Sequence, residues 1–254
     1  MKVVSVGAGN VANHLVTELY NHSFDIIQVY SRTIESAQLL AKKVNAVPVN
    51  DVSAIINDAD IYIFSLKDSV IKDIANQIPE NSGIWIHTAG SIDINIFRKY
   101  TKHYGVLYPF QTFTKGRNIE WKKIPLFTEA SDNKTLSVIN AIARQLSDRI
   151  VELSSDKRRY LHLTGVFACN FTNHMYALSE FFLKEAGLSF DVALPLIDET
   201  SSKVHSLSPK DAQTGPAVRF DQKVMNDHLS IIEDETTKSI YKLISESIHK
   251  SNNI

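Results

Sequence analysis

The apolar residues of this chain repeat at two spacings, and the first switch between them comes early. Val3, Val4 and Val6 make a short β-branched run, and after Gly7 and Gly9 the residues Val11, Leu15 and Leu19 recur at the helical period. A buried strand, a glycine turn and a helix are expected in direct succession. The alternation then continues. Residues 26–30 read as a strand before a helical pattern over 34–44, and 60–66, 83–87 and 104–108 are further apolar runs. Residues 124–128, a helical pattern over 133–146 and 150–153 extend the series. Apolar runs without polar alternation belong to strands covered on both faces, as in a parallel sheet flanked by helices. The pattern therefore predicts an α/β domain with a mostly parallel sheet over residues 1–154, followed by an all-α domain over 155–254.

From Asp156 onward no strand pattern rises above background. A long helix is expected over about 157–186, closed by Gly187. Apolar residues occur all round it, which predicts a helix enclosed by neighbours. Its polar exceptions are ordered: His162, Cys169, Asn170 and Asn173 fall, with Val166, on one stripe at 100° per residue. Buried without partners, such amides and imidazoles would each cost on the order of 1–3 kcal/mol. Either an internal hydrogen-bond network or a ligand must satisfy them, and a stripe bordering a cofactor cleft is the reading adopted for the group. Asp191 is expected to cap a further helix with Pro195 in its first turn. Gly215 and Pro216 set a turn in which Arg219 and Asp221 pair or address an anion. A final helix over about 225–248 presents Leu229, Ile232, Ile240, Leu243, Ile244 and Ile248 as an apolar face, fit to close the domain or a dimer.

The glycine turn carries the first chemistry. Gly7, Gly9 and Ala12 stand as G-x-G-x-x-A between a buried strand and a helix, the context in which this motif binds dinucleotides. Gly7 permits the tight turn, and Gly9 lets the backbone approach a pyrophosphate held on the first helical amides at Asn10 and Val11. A glycine turn that binds nothing is the alternative. The second strand ends in Ser31-Arg32-Thr33, about 20 residues past the glycines, where a carboxylate would accept ribose hydroxyls and an Arg would accommodate a 2′-phosphate. With no Asp or Glu adjacent, NADP is the expected cofactor rather than NAD. The carboxyl ends of the next strands, at Ser65, Leu66 and Lys67 and at Thr88, Ala89 and Gly90, should also face it. His87 lies near that rim and reads as a packing residue rather than an acid. Gln111 and Thr112, bracketed by aromatic residues, suit the wall of a substrate pocket, and an aromatic loop covering a sheet edge is the alternative.

Composition narrows the partners. Of 254 residues, 44% are apolar, so a sizeable core is available, and a net charge of −1 offers no field for nucleic acid or an anionic membrane. Cys169 is the single cysteine, which excludes an intrachain disulfide and fits a reducing compartment. The apolar residues before Gly7 are too few for a secretory h-region, so a cytoplasmic protein is expected. No metal site is expected.

Together these blocks resemble the β-hydroxyacid dehydrogenase and pyrroline-carboxylate reductase-like superfamily, in which an NADP-binding Rossmann domain precedes a helical domain. Residues 87–91, 108–113, 162–170 and 214–219 resemble more closely a group of Rossmann-like NADP oxidoreductases whose all-helical C-terminal domain is uncharacterised. Pyrroline-carboxylate reductase and the coenzyme F420-dependent NADP oxidoreductase are similar at the cofactor end. The hydroxyacid dehydrogenases place a catalytic Lys one turn before an Asn on the long helix. Here Val166 precedes Asn170 and Cys169 precedes Asn173, so another group must handle the proton. The resemblance implies an NADP-dependent oxidoreductase acting on a small carbonyl or imine compound, with His162 as acid/base, Asn170 as orienter, Gln111 and Thr112 lining the pocket, and a homodimer. A non-catalytic NADP-binding sensor or scaffold is the alternative.

Overall fold

The computed structural model describes residues 1–252. Its first element is β1 (Lys2–Val6), followed at once by α1 (Asn10–Asn21), β2 (Asp25–Tyr30) and α2 (Ile34–Lys43). A three-residue β3 (Val47–Val49), β4 (Ile61–Phe64), α3 (Ile71–Ala75), β5 (Ile84–His87) and β6 (Tyr104–Pro109) follow. β7 (Leu126–Ala130), α4 (Asn133–Leu146) and β8 (Ile150–Glu152) end the sheet. The strands form one eight-stranded sheet in the order β3-β2-β1-β4-β5-β6-β7-β8. Strand order reverses between β2 and β4 on either side of β1, the position at which open α/β sheets bind ligands.

The first six strands are parallel, with Val6 opposite Tyr30 on one side and Phe64 on the other. β7 runs antiparallel to β6, with Leu107 opposite Thr128, and α4 then returns the chain so that β8 lies parallel to β7. β3 escaped the hydrophobic pattern because it is short, half exposed and carries Pro48, which only an edge strand tolerates.

Both faces of the sheet are covered, as the uninterrupted apolar runs required. Leu15, Leu19, Leu40 and Ile139 pack on one face. Tyr62, Phe64, Trp85 and Phe97 form an aromatic cluster on the other, with Phe64 and Phe97 ring centroids 4.6 Å apart. Each such side chain contributes about 1.5–3 kcal/mol by leaving water.

From Ser155 the described chain is helical: α5 (Ser155–Gly165), a π-helical turn over Val166–Phe171, and α6 (Thr172–Glu185). The chain divides into two compact units, Met1–Asn173 and His174–Ile254. α5 therefore belongs with the sheet, although strands end before it.

The expectation of an enclosed long helix does not hold within a single chain. Tyr160 is 77% exposed and Phe167 61%, so apolar residues on its outer side have no cover of their own. Periodicity reports that a face is apolar, not what covers it.

In the second unit, α7 (Leu194–Lys203), α8 (Pro216–Arg219), α9 (Gln222–Ile231) and α10 (Glu235–Asn252) follow one another. Three expectations change here. Asp191 sits inside a short 3-10 turn and accepts a hydrogen bond from Ser189, so it does not cap α7, whose first turn does hold Pro195. Asp221 caps α9 by accepting from the Val224 amide at 3.3 Å and makes no ion pair with Arg219 among the described residues. The final helix is two helices, because Asp234 accepts from the Thr237 amide at 2.7 Å and starts α10 afresh. A carboxylate at a cap outweighs continuous apolar spacing.

Candidate functional site

The glycine turn is shaped by two glycines with different duties. Gly7 has φ +124°, and a Cβ there would collide with the Ser65 carbonyl, so the close approach of β1's end to β4's end requires glycine. Its amide donates to the Tyr30 carbonyl at 2.9 Å. Gly9 precedes α1 with no side-chain cap, and a Cβ at that position would meet nothing within 4 Å. The first amides of α1 thus open on free space at the positive end of a helix, which fits a phosphate group. Asn13, missed in the sequence, holds the turn from behind: its amide donates to the carbonyls of Ala8 at 2.9 Å and Gly9 at 3.0 Å.

At the end of β2 the Ser31 amide donates to the Val49 carbonyl at 3.0 Å, which fixes the turn. Arg32 is exposed and makes no ion pair among the described residues. Thr33 precedes α2 with extended backbone, but its hydroxyl donates to Ser36 at 2.8 Å rather than capping a helical amide. Ser65 and Thr88 are buried side by side where β4 and β5 end, the Thr88 hydroxyl donating to Ser65 at 3.3 Å. Leu66 lies against Gly7, Lys67 is exposed, and Ala89 and Gly90 are buried.

His87 is fully buried, and its Nδ1 accepts from the Ala89 amide at 3.2 Å, so the ring stays neutral and shapes the 88–90 turn. Burial first, and the Arg158 charge second, push its pKa down to about 3. It is no proton donor at neutral pH.

The acid/base candidate His162 is drawn to this rim. Its Nδ1 lies 3.2 Å from the Tyr108 hydroxyl at the end of β6, with the two rings edge-on at 6.2 Å. Gly90 makes room for it, since a Cβ there would sit 2.6 Å from His162 Nδ1 and 2.9 Å from its Cβ. Burial raises the Tyr108 pKa, partly opposed by the Arg158 guanidinium, so the phenol remains an O–H donor. Sequence reading placed Tyr108 at a strand end but gave it no role. Only the distance to His162 reveals the pair.

Position along α5 is set by a buried polar node. Glu129 on β7 accepts from the Ser155 amide at 2.9 Å, the Ser155 hydroxyl at 2.7 Å and the Arg158 guanidinium. Arg158, 1% exposed, also donates to the Ile92 carbonyl, and the Ile94 amide donates to Ser155 Oγ at 2.9 Å. The node fastens the start of the helix both to β7 and to the loop after β5. His162 stands one turn beyond Arg158.

The polar stripe expected on the long helix faces two adjoining clefts. The smaller, about 410 Å3, is lined by Asn10 and Val11 from the glycine turn, by Tyr108, Gln111 and Thr112, and by His162, Val166, Cys169 and Asn170. The larger, about 700 Å3, shares Gln111, Thr112, Cys169 and Asn170 and adds Asn173. The amides face open clefts rather than a dry helical core. The π-turn spans Val166–Phe171 and so carries Cys169 and Asn170; such turns are frequent at functional sites.

A protein from Bacteroides fragilis, provisionally named an NADP oxidoreductase, is 48% identical in sequence, with 98% of each chain covered and a TM-score of 0.92. This chain belongs to its family. Residues 124–248 match the family model of a domain of unknown function, DUF2520, and residues 1–80 match the model of shikimate/quinate 5-dehydrogenase. Among curated protein sequences, none matches. The fold is shared more widely. A pyrroline-5-carboxylate reductase from Streptococcus pyogenes aligns over 100% of this chain and 99% of its own, at 15% identity and a TM-score of 0.64. An imine reductase from Myxococcus stipitatus, solved with NADP+, aligns over 100% and 93%, at 12% identity and a TM-score of 0.62. The likeness to pyrroline-carboxylate reductase, confined in sequence to the cofactor end, thus extends in fold over the whole length.

Proposed function

We propose that this family member is an NADP-dependent oxidoreductase acting on a small carbonyl or imine compound, with His162 and Tyr108 as its proton-handling pair. One observation carries the reading: the hydrogen-bonded pair lines the same cleft as Asn10 and Val11 at the phosphate-ready turn. NADPH, when bound, supplies the hydride. Gly7, Gly9, Asn10 and Val11 would hold its pyrophosphate, Ser31, Arg32 and Thr33 its 2′-phosphate end, and Ser65 to Lys67 with Thr88 to Gly90 would border the rest. In reduction the substrate carbon gains the hydride and its oxygen or nitrogen gains a proton. Tyr108 Oη donates that proton while His162 Nδ1–H restores it, and the exposed imidazole is recharged from solvent. Asn170 orients the substrate, and Gln111 with Thr112 lines its pocket. Residues 1–154 would serve the cofactor, and 155–254 substrate binding and pairing.

A non-catalytic NADP-binding sensor is favoured by one fact, the absence of a Lys at Val166 and Cys169. Turnover separates the two readings. Oxidation of NADPH with a panel of cyclic imines and keto acids, lost in His162→Ala while NADPH still binds, supports the enzyme. Tight NADPH binding with no turnover across the panel supports the sensor.

The second unit supports a homodimer. Among its described residues only Ala217, Ile232 and Ser245 are buried, while Leu196, Ile231 and Leu243 are more than two-thirds exposed. So small a core does not stabilise a helical unit of this size alone, and a second copy supplies the missing cover. Light scattering should give twice the chain mass; a monomer at micromolar concentration would refute it.

A further inference from the structure

The larger cleft lies beyond the His162–Tyr108 pair and, besides the shared Gln111, Thr112 and Asn170, has chemistry that the hydride transfer does not use. It opens between the segment after Thr112 and the end of the π-turn, and it is continuous with the smaller cleft through Gln111, Thr112, Cys169 and Asn170. No residue of the glycine turn or of the ends of β2, β4 and β5 borders it, so it stands apart from the residues assigned to the dinucleotide. At about 700 Å3 it is large enough for the remainder of a metabolite whose reacting carbon sits beside Tyr108.

Its walls are polar and positively charged. Arg117 and Lys123 line it against Glu120 alone, in a chain of net charge −1. Lys123 is committed, pairing with Glu120 at 2.8 Å. Arg117 lines the cleft and makes no ion pair among the described residues. Among the described residues the side-chain amides of Asn118, Asn170 and Asn173 find no protein hydrogen bond either. The backbone beneath them is nonetheless fixed. The Arg117 amide donates to the Thr114 carbonyl at 3.3 Å, that carbonyl lies 2.9 Å from His14 Nε2 on α1, and buried Phe113 packs against both His14 and Trp121. An anchored loop thus presents an uncommitted guanidinium among uncommitted amides, beside the place where the substrate reacts.

The geometry points to this cleft as the seat of an anionic group on the substrate, a carboxylate or a phosphate, held by Arg117 and the flanking amides. The inference rests on the oxidoreductase reading for its orientation: the carbonyl or imine end lies toward His162 and Tyr108, the anionic end toward Arg117. A planar guanidinium matches either oxyanion through paired N–H donors. An uncharged substrate can hydrogen-bond those amides but leaves the guanidinium charge unmatched, and hydrogen bonds to a charged partner are the stronger ones.

The test uses the full chain saturated with NADP+, so that anions cannot enter the cofactor's own phosphate sites. Calorimetric titrations compare malonate, inorganic phosphate and uncharged malonamide on wild type, Arg117→Met and Arg117→Lys. At least one anion should bind and malonamide should not. Arg117→Met should weaken the anion by about tenfold or more, with Arg117→Lys in between, while NADP+ affinity and melting temperature stay at wild-type values. Preference for malonate assigns a carboxylate, and preference for phosphate a phosphate ester. Binding of malonamide as tight as that of the anions, anion binding unchanged in Arg117→Met, or no anion binding at all overturns the inference. Failure of NADP+ itself to bind is read in a separate titration and overturns the cofactor reading instead.

Discussion

Acid should weaken this fold through one buried side chain. His87 is fully buried between β4 and β6, and its native pKa is pushed to about 3 from an ordinary 6.5. Between those values the unfolded chain binds a proton that the native chain does not, so stability rises with pH there and falls as pH drops. The stability His87 contributes is complete above 6.5 and is lost progressively toward 3. The slope is about 1.4 kcal/mol per pH unit, so about two units of acidification below the ordinary value remove about 2.5 kcal/mol. His87→Asn isolates this contribution, because its side-chain oxygen can still accept from the Ala89 amide and does not titrate. The variant starts lower at neutral pH, by about 1–3 kcal/mol for the lost ring volume, so the comparison is between slopes and not intercepts. Urea unfolding of both proteins, followed through tryptophan fluorescence since Trp85 and Trp121 are both in the sheet unit, gives stability at each pH. Carboxylate contributions are common to both and cancel. Parallel pH profiles, or an imidazolium signal from His87 in the native state near neutral pH, would refute the buried neutral histidine.

Other predictions follow from glycine geometry and from the end of β2. Gly7→Ala should lose at least about 2 kcal/mol of stability, because a Cβ collides with the Ser65 backbone, whereas Gly9→Ala should fold within about 1 kcal/mol of wild type. Gly9→Ala should nonetheless weaken NADPH by about tenfold or more, and equal affinity by fluorescence titration would remove the phosphate from that turn. Gly90→Ala forces His162 and its helix away from Tyr108, so kcat should fall by more than any loss of NADPH affinity at this cofactor-bordering position accounts for; unchanged kcat would dissociate the pair from catalysis. Arg32→Asp should weaken NADPH far more than NADH, and equal loss of both would sink the role given to Arg32.

Much of the frame was legible because the α/β alternation writes itself in apolar runs. Strand ends and the glycine turn follow from local sequence, which is why Gly7, Gly9, Ser31 and Thr88 could be placed at one rim. What the pattern lacked was information carried by tertiary contacts. Val47–Val49 is too short for any period, and Asp234 interrupts an apolar spacing that reads through it. Tyr108 looks like any strand-terminal aromatic until His162 arrives 3.2 Å away from a helix dozens of residues later. The long helix misled in the opposite direction, since its apolar faces promised enclosure that a single chain does not provide.

The polar stripe itself shows how the helix can be both misread and correctly aimed. A regular α-helix brings His162, Val166, Cys169, Asn170 and Asn173 to one side, and the π-turn at Val166–Phe171 shifts the register within that run. They still line the two clefts, because the helix is fixed in rotation at its start, where Glu129 grips Ser155 and Arg158. Gly90 and Gly165 then allow close approach, the latter leaving only 3.0 Å between a Cβ and the Phe110 ring. Loss of the Glu129 grip would therefore act on chemistry at a distance. Glu129→Gln keeps an acceptor for the Ser155 amide but leaves the buried Arg158 charge unpaired, which costs about 3–5 kcal/mol. Its expected signature is a lower kcat and an altered pH profile of whatever turnover His162 supports, with NADPH affinity unchanged. A variant that loses NADPH affinity and kcat together would show instead that Glu129 merely holds the sheet.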